Sequence, residues 1–350
     1  MTALISVLPD HVANQIAAGE VVQRPASVVK ELLENSIDAG ATKITLSLTG
    51  AGKTAIVVTD NGSGMNAADA ELCFRRHATS KISSAEDLFN LNTRGFRGEA
   101  MASIAAVAHV QLKTNTAGSE MGTSLKLEDG KITANLPYPG PQGSIVEVRN
   151  LFYNVPARRK FLKNDRIELR HCIDEFHRVA LVHSNIEWTF KSDEKVLFHL
   201  MPENSRRRIS AIFGRKFDEK LVPISEDTNV VKVTGFVLKP EFAKKKRGEQ
   251  FFFVNGRFIK SPYLHNALRE AFEEVLSAEH HPGYFLFLEV DSNGLDVNIH
   301  TTQTGVKFED ERASYAVHRS AVCHAIGLYN VAPAIYFKSE VNFSLPPMPN

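Results

Sequence analysis

KELLENSIDAGA (residues 30–41) places Glu31, Glu34, Asn35 and Asp38 at spacings of three, one and three. On a helix those four side chains share one face. Val28, Val29, Leu32, Leu33 and Ser36 supply an inward stripe on the other face. Pro25 suits a first helical turn and Gly40 a position just past the last one, so the spacing predicts a helix over 25–39. Two strands then follow, KITLSLTG (43–50) and TAIVVTD (54–60), joined by Ala51-Gly52-Lys53. A one-sided helix beside a hairpin of strands needs a layered fold of helix on sheet. The outer face carries three carboxylates and one amide, oxygen donors that suit water or a hard cation.

Moving outward, DNGSGM (60–65) closes the second strand with an aspartate and two glycines, where backbone can approach a ligand closely. GFRGEA (95–100) sets Gly95 and Gly98 before a small-residue helix, so their N–H groups can meet phosphate. HATSKI (77–82) adds hydroxyls and Lys81. GAGKT (50–54) only imitates a phosphate loop. Position 47 is Ser where the motif needs Gly, and the segment joins two strands instead of opening a helix.

Further strands are expected at 107–114, 123–128, 144–149 and 186–192, and a helix at about 165–184. SRRRIS (205–210) suggests a boundary. Beyond it, strands are expected at 229–238, 250–254, 284–290 and 295–300, with helices at about 262–277 and 310–327 and no βαβ rhythm. The chain reads as α+β with domains over residues 1–205 and 206–335 and a linker from 336 to 350.

Net charge is +1, so nucleic-acid binding would have to come from local clusters. Such clusters stand at Arg158-Arg159-Lys160, Arg206-Arg207-Arg208 and Lys244-Lys245-Lys246-Arg247. Cys73, Cys172 and Cys323 are scattered without a CxxC pair, which fits a reduced, cytoplasmic protein. No secretory signal and no apolar run of membrane-spanning length is apparent.

Taken in order, these motifs resemble the GHKL ATPases. NQIAAGEVVQRPASVVKELLENSIDAGAT, DNGSGM, RHATSKI, TRGFRGEAMASI and LFYNVPARRKFLK resemble one branch of them, the MutL family of DNA mismatch repair proteins. FFFVNGRFI and LDVNIH extend the likeness past residue 250. A topoisomerase or chaperone relative is disfavoured by NVPARRKFL.

The resemblance implies a Bergerat-type α/β sandwich that binds ATP with Mg²⁺, followed by a ribosomal-S5-like α+β domain. Glu31 matches the general base and Asn35 the Mg²⁺ ligand. Asp60 matches the carboxylate for the adenine amine, with Gly62 and Gly64 beside the base. Thr79, Ser80 and Lys81 match lid residues. Gly95, Arg97, Gly98, Glu99, Ala100 and Met101 match the phosphate-cradling turn. Ser144 stands where relatives usually carry Thr, and Arg269 matches a residue implicated in DNA binding. Glu34 and Asp38 carry no catalytic role.

One stretch departs from the family pattern. HTTQTGVKF (300–308) has Gln303 where relatives place a lysine toward the γ-phosphate. The resemblance also implies homodimerisation on ATP binding, weak sequence-independent DNA binding, a mismatch-recognition partner of the MutS type and downstream repair enzymes, with no membrane. The alternative is a nucleotide-gated DNA-binding and partner-recruiting module with little turnover, because Gln303 lacks the lysine's charge.

Overall fold

KITLSLT alternates buried and exposed residues because successive side chains of a strand face opposite sides of a sheet. Ile44, Leu46 and Leu48 turn inward with at most 2% exposure, and the inward stripe of the 25–38 helix lies in the same core. The computed structural model describes residues 8–80, 98–277, 279–291, 295–296, 307–308 and 310–337.

The first unit runs through Arg215. It contains α1 (Asp10–Val21), α2 (Pro25–Asp38), β1 (Lys43–Thr49), β2 (Ala55–Asp60), α3 (Ala67–Leu72) and α4 (Ala100–Ala105). β3 (His109–Asn115), β4 (Gly122–Glu128), β5 (Lys131–Tyr138), β6 (Gly143–Arg149) and α5 (Pro156–Phe161) follow. α6 (Asp165–Val182), β7 (Glu187–Ser192), β8 (Lys195–Leu200) and α7 (Ser205–Phe213) complete it.

Its eight strands form one sheet in the order β5-β4-β3-β6-β2-β1-β7-β8. All neighbours are antiparallel except β1 and β7. The parallel pair follows from α6, which carries the chain back across the sheet before β7. α2 and α6 pack against each other.

The second unit begins at Lys216. β9 (Leu221–Asp227), β10 (Lys232–Leu238), β11 (Gln250–Val254), β12 (Arg257–Ile259), α8 (Pro262–Ala271) and β13 (Tyr284–Glu289) are followed by the short pair β14 (Leu295–Asp296) and β15 (Lys307–Phe308), and by α9 (Glu311–Phe337). The five-stranded sheet has the order β12-β11-β13-β10-β9. α8 and α9 cover it, burying Leu264, Leu268, Val322 and Ile326 with Phe252, Leu286 and Leu288.

Three expectations change. β11 and β13 are parallel, so this unit does contain one crossover, through β12 and α8. The three-residue β12 is too short to mark that rhythm in the sequence. β5 and β8, the two edge strands, have no sequence signal, because neither alternates: β5 has no buried residue and β8 only its last. The 262–277 helix ends at Ala271 and continues as turns.

SRRRIS forms the start of α7. Arg208 is 0% exposed and donates to the carbonyls of Ala180, His183, Ser184, Ile186 and Met201. That guanidinium ties α7 to the end of α6 and the start of β7 within the first unit. Arg208 is therefore no part of a solvent-facing basic cluster.

Candidate functional site

Position 36 links helix and sheet. Ser36 is on the buried side of α2, and its hydroxyl donates to Asp60 Oδ2 at 3.0 Å. The Gly62 N–H donates to Asp60 Oδ1 at 2.9 Å. Burial pushes the Asp60 carboxyl up, against the lowering effect of the bonds from Gly62, Ser36 and the Ser144 backbone. Each oxygen keeps acceptor capacity for a further donor, such as an amine edge.

The register extends this point across three strands. Asp60 is opposite Ser144, and Ser144 is opposite Thr114. The Thr114 and Ser144 hydroxyls are 3.0 Å apart, and Thr114 Oγ1 accepts the Met65 N–H at 2.9 Å. Asn61 fixes the start of the turn by accepting the N–H groups of Thr42 and Lys43, each at 2.9 Å.

Two glycines in this region are sterically required. Gly64 has φ +68°, and a Cβ there would sit 1.8 Å from Asn115 O. A Cβ on Gly143 would sit 2.1 Å from Asp60 O. The backbone forms a side-chain-free cradle beside one carboxylate and a row of hydroxyls, a donor and acceptor set that fits a planar heterocycle with an exocyclic amine.

The polar face of α2 is half-buried. Lys30 Nζ lies 3.4 Å from Glu31 Oε1 and 3.6 Å from Glu34 Oε2. Desolvation alone would lower the Lys30 ammonium, but the carboxylates of Glu34, Glu31 and Glu175 outweigh it and hold it raised. Asn35 and Asp38 share the face. Among the described residues no three His, Cys, Asp or Glu side chains form a metal cage. Mg²⁺ needs none when phosphate oxygens and water complete its shell, so the single amide oxygen of Asn35 fits it.

The third part is the turn before α4. Gly98 has φ +61°, and a Cβ there would sit 2.4 Å from Ala78 O. The turn is thereby pressed onto the 77–80 segment, where His77 Nδ1 is 3.7 Å from Glu99 Oε1. Ala100 and Met101 open α4; Thr79 is half-buried and Ser80 exposed. Lys81, Gly95, Arg97 and Gln303 lie outside the described residues.

The sequence reading missed Thr114, Asn61 and Gly143. Their signal is strand register, which no single segment carries. It also treated Arg158, Arg159 and Lys160 as equivalent, and they are not. Arg158 packs on α1, where a Cβ on Gly19 would sit 1.6 Å from its Nη2, and 6.0 Å from the Phe152 ring centroid. Arg159 and Lys160 are exposed, as is Arg269 on α8.

With this geometry in view, comparisons give the chain a context. Residues 23–150 match the histidine kinase-, DNA gyrase B- and HSP90-like ATPase family, and residues 209–327 match the C-terminal domain of DNA mismatch repair proteins. The MutL proteins of Christiangramia forsetii and Flavobacterium psychrophilum are 56% and 57% identical to it over 346 residues, each match covering 99% of this chain and 56% of the relative. The chain thus spans about half the length of these relatives.

The Aquifex aeolicus MutL ATPase domain complexed with ADP aligns at 27% identity with TM-score 0.58, covering 77% of this chain and 93% of that one. The N-terminal domain of a DNA repair protein shares the fold at TM-score 0.78 and 23% identity, covering 92% and 99%.

Proposed function

The chain belongs to the MutL family of DNA mismatch repair proteins, with a GHKL ATPase fold in its first unit and an S5-like α+β fold in its second, and from that premise we propose that it binds ATP with Mg²⁺ and hydrolyses it slowly. The observation that carries this reading is the row Asp60, Ser144 and Thr114 beside the Gly62, Gly64 and Gly143 backbone. Asp60 accepts the adenine amine and Ser144 donates or accepts at its neighbour. The relative solved with ADP supports a nucleotide as the ligand.

Glu31 acts as general base, taking a proton from the attacking water. Its carboxylate lies 3.4 Å from the Lys30 ammonium, which the neighbouring carboxylates hold in its charged form. Asn35 would hold Mg²⁺, which when bound would offset the charge of the phosphates. Gly98, Glu99, Ala100 and Met101 present backbone N–H groups to the phosphates, and the family resemblance assigns Gly95 and Arg97 to the same turn. Thr79, Ser80 and Lys81 belong to a lid over the nucleotide. Nucleotide binding favours homodimerisation, the DNA-bound state and engagement of a MutS-type partner and downstream repair enzymes. Arg159, Lys160 and Arg269 meet DNA phosphates, which gives weak, salt-dependent binding.

The test is a binding titration with a nonhydrolysable ATP analogue and Mg²⁺ beside a steady-state ATPase assay. Glu31→Ala should bind the analogue and lose turnover, while Asp60→Asn should lose binding. Turnover that survives in Glu31→Ala refutes the assigned base.

A second reading rests on HTTQTGVKF. Gln303 keeps a donor but not the charge expected near the γ-phosphate, and loss of one such contact typically costs about 10²–10³ in rate. The chain is then a nucleotide-gated module with little turnover. Gln303→Lys should raise kcat with binding nearly unchanged; equal rates exclude this reading.

A further inference from the structure

YPGPQG (138–143) joins β5 to β6 and has no fully buried side chain; Pro139, Pro141 and Gln142 are exposed. Amides hold it instead. Asn115, 3% exposed at the end of β3, donates from Nδ2 to Gly140 O at 2.8 Å and to Ser119 O at 3.1 Å. Its Oδ1 accepts the Thr116 N–H at 2.9 Å. Every polar atom of that buried amide is used, as burial requires. Pro139 and Pro141 fix φ on either side of Gly140, so anchoring that one carbonyl sets the path of the loop.

From that anchor the loop reaches the turn after β2. Gln142 Nε2 donates to Gly62 O at 3.0 Å. At the other end of the same residue, the Gly62 N–H donates to Asp60 Oδ1 at 2.9 Å. The Ser63 N–H donates to Ala39 O at 2.9 Å, so the end of α2 holds the turn from one side and Gln142 holds it from the other. A Cβ on Gly62 would sit 2.8 Å from Ala39 O, so no side chain can pack this position into place. Its two peptide groups are oriented by these hydrogen bonds. A continuous series of bonds thus runs from the buried Asn115 through Gly140, Gln142 and Gly62 to the Asp60 carboxylate.

We propose that Gln142 is a positioning residue for adenine recognition: it fixes the Gly62 peptide so that Asp60 presents its carboxylate to the purine amine. This rests on the adenine reading of Asp60 above and deepens it by naming a residue that sets its specificity. Gln142 acts through Gly62. Without its donor the Gly62 carbonyl turns to water, and the N–H bond to Asp60 Oδ1 loses its fixed direction. Ser36 still holds Oδ2, so the carboxylate stays but its aim loosens. One neutral hydrogen bond is at stake, worth about two- to tenfold in affinity. The loss falls on recognition of the amine and not on the phosphate turn at Gly98, which belongs to a different segment.

The experiment is isothermal titration calorimetry in Mg²⁺ with ADP and with purine riboside diphosphate, which lacks only the 6-amino group. It compares the native chain with Gln142→Met and Gln142→Lys. The ratio of the two affinities isolates the amine, because phosphate and ribose contacts cancel. Gln142→Met keeps the side-chain length and removes the donor, so the ratio should fall about two- to tenfold toward unity. Gln142→Lys restores a donor and should bring the ratio back to within about twofold of the native one. Gln142 is exposed, so the denaturant midpoints of all three chains should coincide.

A native chain that binds no ADP overturns the nucleotide reading and this inference with it. Equal native affinity for the two ligands overturns the contact between Asp60 and the amine, and with it the role of Gln142. A native preference for ADP that Gln142→Met retains in full leaves the nucleotide reading standing and overturns the positioning role alone. So does a fall in the ratio that Gln142→Lys does not restore, or one that comes with a lowered denaturant midpoint, since either marks a structural change of the loop.

Discussion

Arg208 on α7 and Arg269 on α8 are both helical arginines, and they have opposite fates. Arg208 is 0% exposed, and its Nη1 and Nη2 donate to five main-chain carbonyls. Arg269 is exposed, and among the described residues no carboxylate forms an ion pair with it. Desolvation lowers the Arg208 guanidinium while Glu203, 3.7 Å away, raises it, and it remains a cation used as a structural donor. A buried cation surrounded by carbonyls fixes a fold; an exposed cation with no carboxylate is open to a ligand. Arg158 falls between the two, packed on Gly19 with Nη1 unpartnered.

The largest effect should therefore come from Arg208→Ala. Five carbonyls lose their donor and a cavity opens, so unfolding free energy should fall by about 3–5 kcal/mol. Denaturant unfolding measures it, and a loss under about 1 kcal/mol would place Arg208 with the exposed arginines.

Gly64→Ala comes next. The new Cβ would meet Asn115 O, at a positive φ, beside the row proposed for adenine. A cost of about 2–3 kcal/mol, with loss of nucleotide binding, is expected from calorimetry.

Asp60 links burial to ligand binding through pH. Its folded carboxyl is raised above the unfolded value, so its protonation favours the folded state at low pH and that contribution is lost as pH rises through the raised value. The adenine amine needs the ionised acceptor, so nucleotide affinity should fall as pH drops toward that value. Titrations between pH 4.5 and 7.5 should show this acid loss in the native chain, and an affinity that stays flat to pH 4.5 would refute the role of Asp60.

Smallest in stability, and the sharpest contrast with Arg208, is Arg159→Gln. It should change stability by less than about 0.5 kcal/mol while lowering the salt slope of DNA binding by about one contact. Arg158→Gln should do the reverse. A pair of variants with equal salt slopes would dissolve the distinction between them.

Much of this was legible along single segments. The α2 stripe, with Ser36 in it, follows from helical period, and the buried side observed is the one expected. GAGKT is a strand-connecting turn in the structure, as the Ser at position 47 implied. Segments without a period gave no signal: β5 is an edge strand with no buried residue, and a strand with no buried side has no alternation to read. The missed site residues, Thr114, Asn61 and Gly143, are ordinary within their own segments and matter only where neighbouring strands bring them beside Ser144, Lys43 and Asp60.

The sequence by itself determined the local order: which helix has an acidic outer face, where glycines interrupt strands, which motifs resemble a nucleotide site and which position departs at Gln303. Those properties depend on near neighbours and on fixed periods of 3.6 and 2. Only tertiary structure decided which arginines are buried and which hydroxyls line up with Asp60. These depend on register and packing between distant segments, so the same residue type becomes a structural donor or an open cation according to what surrounds it.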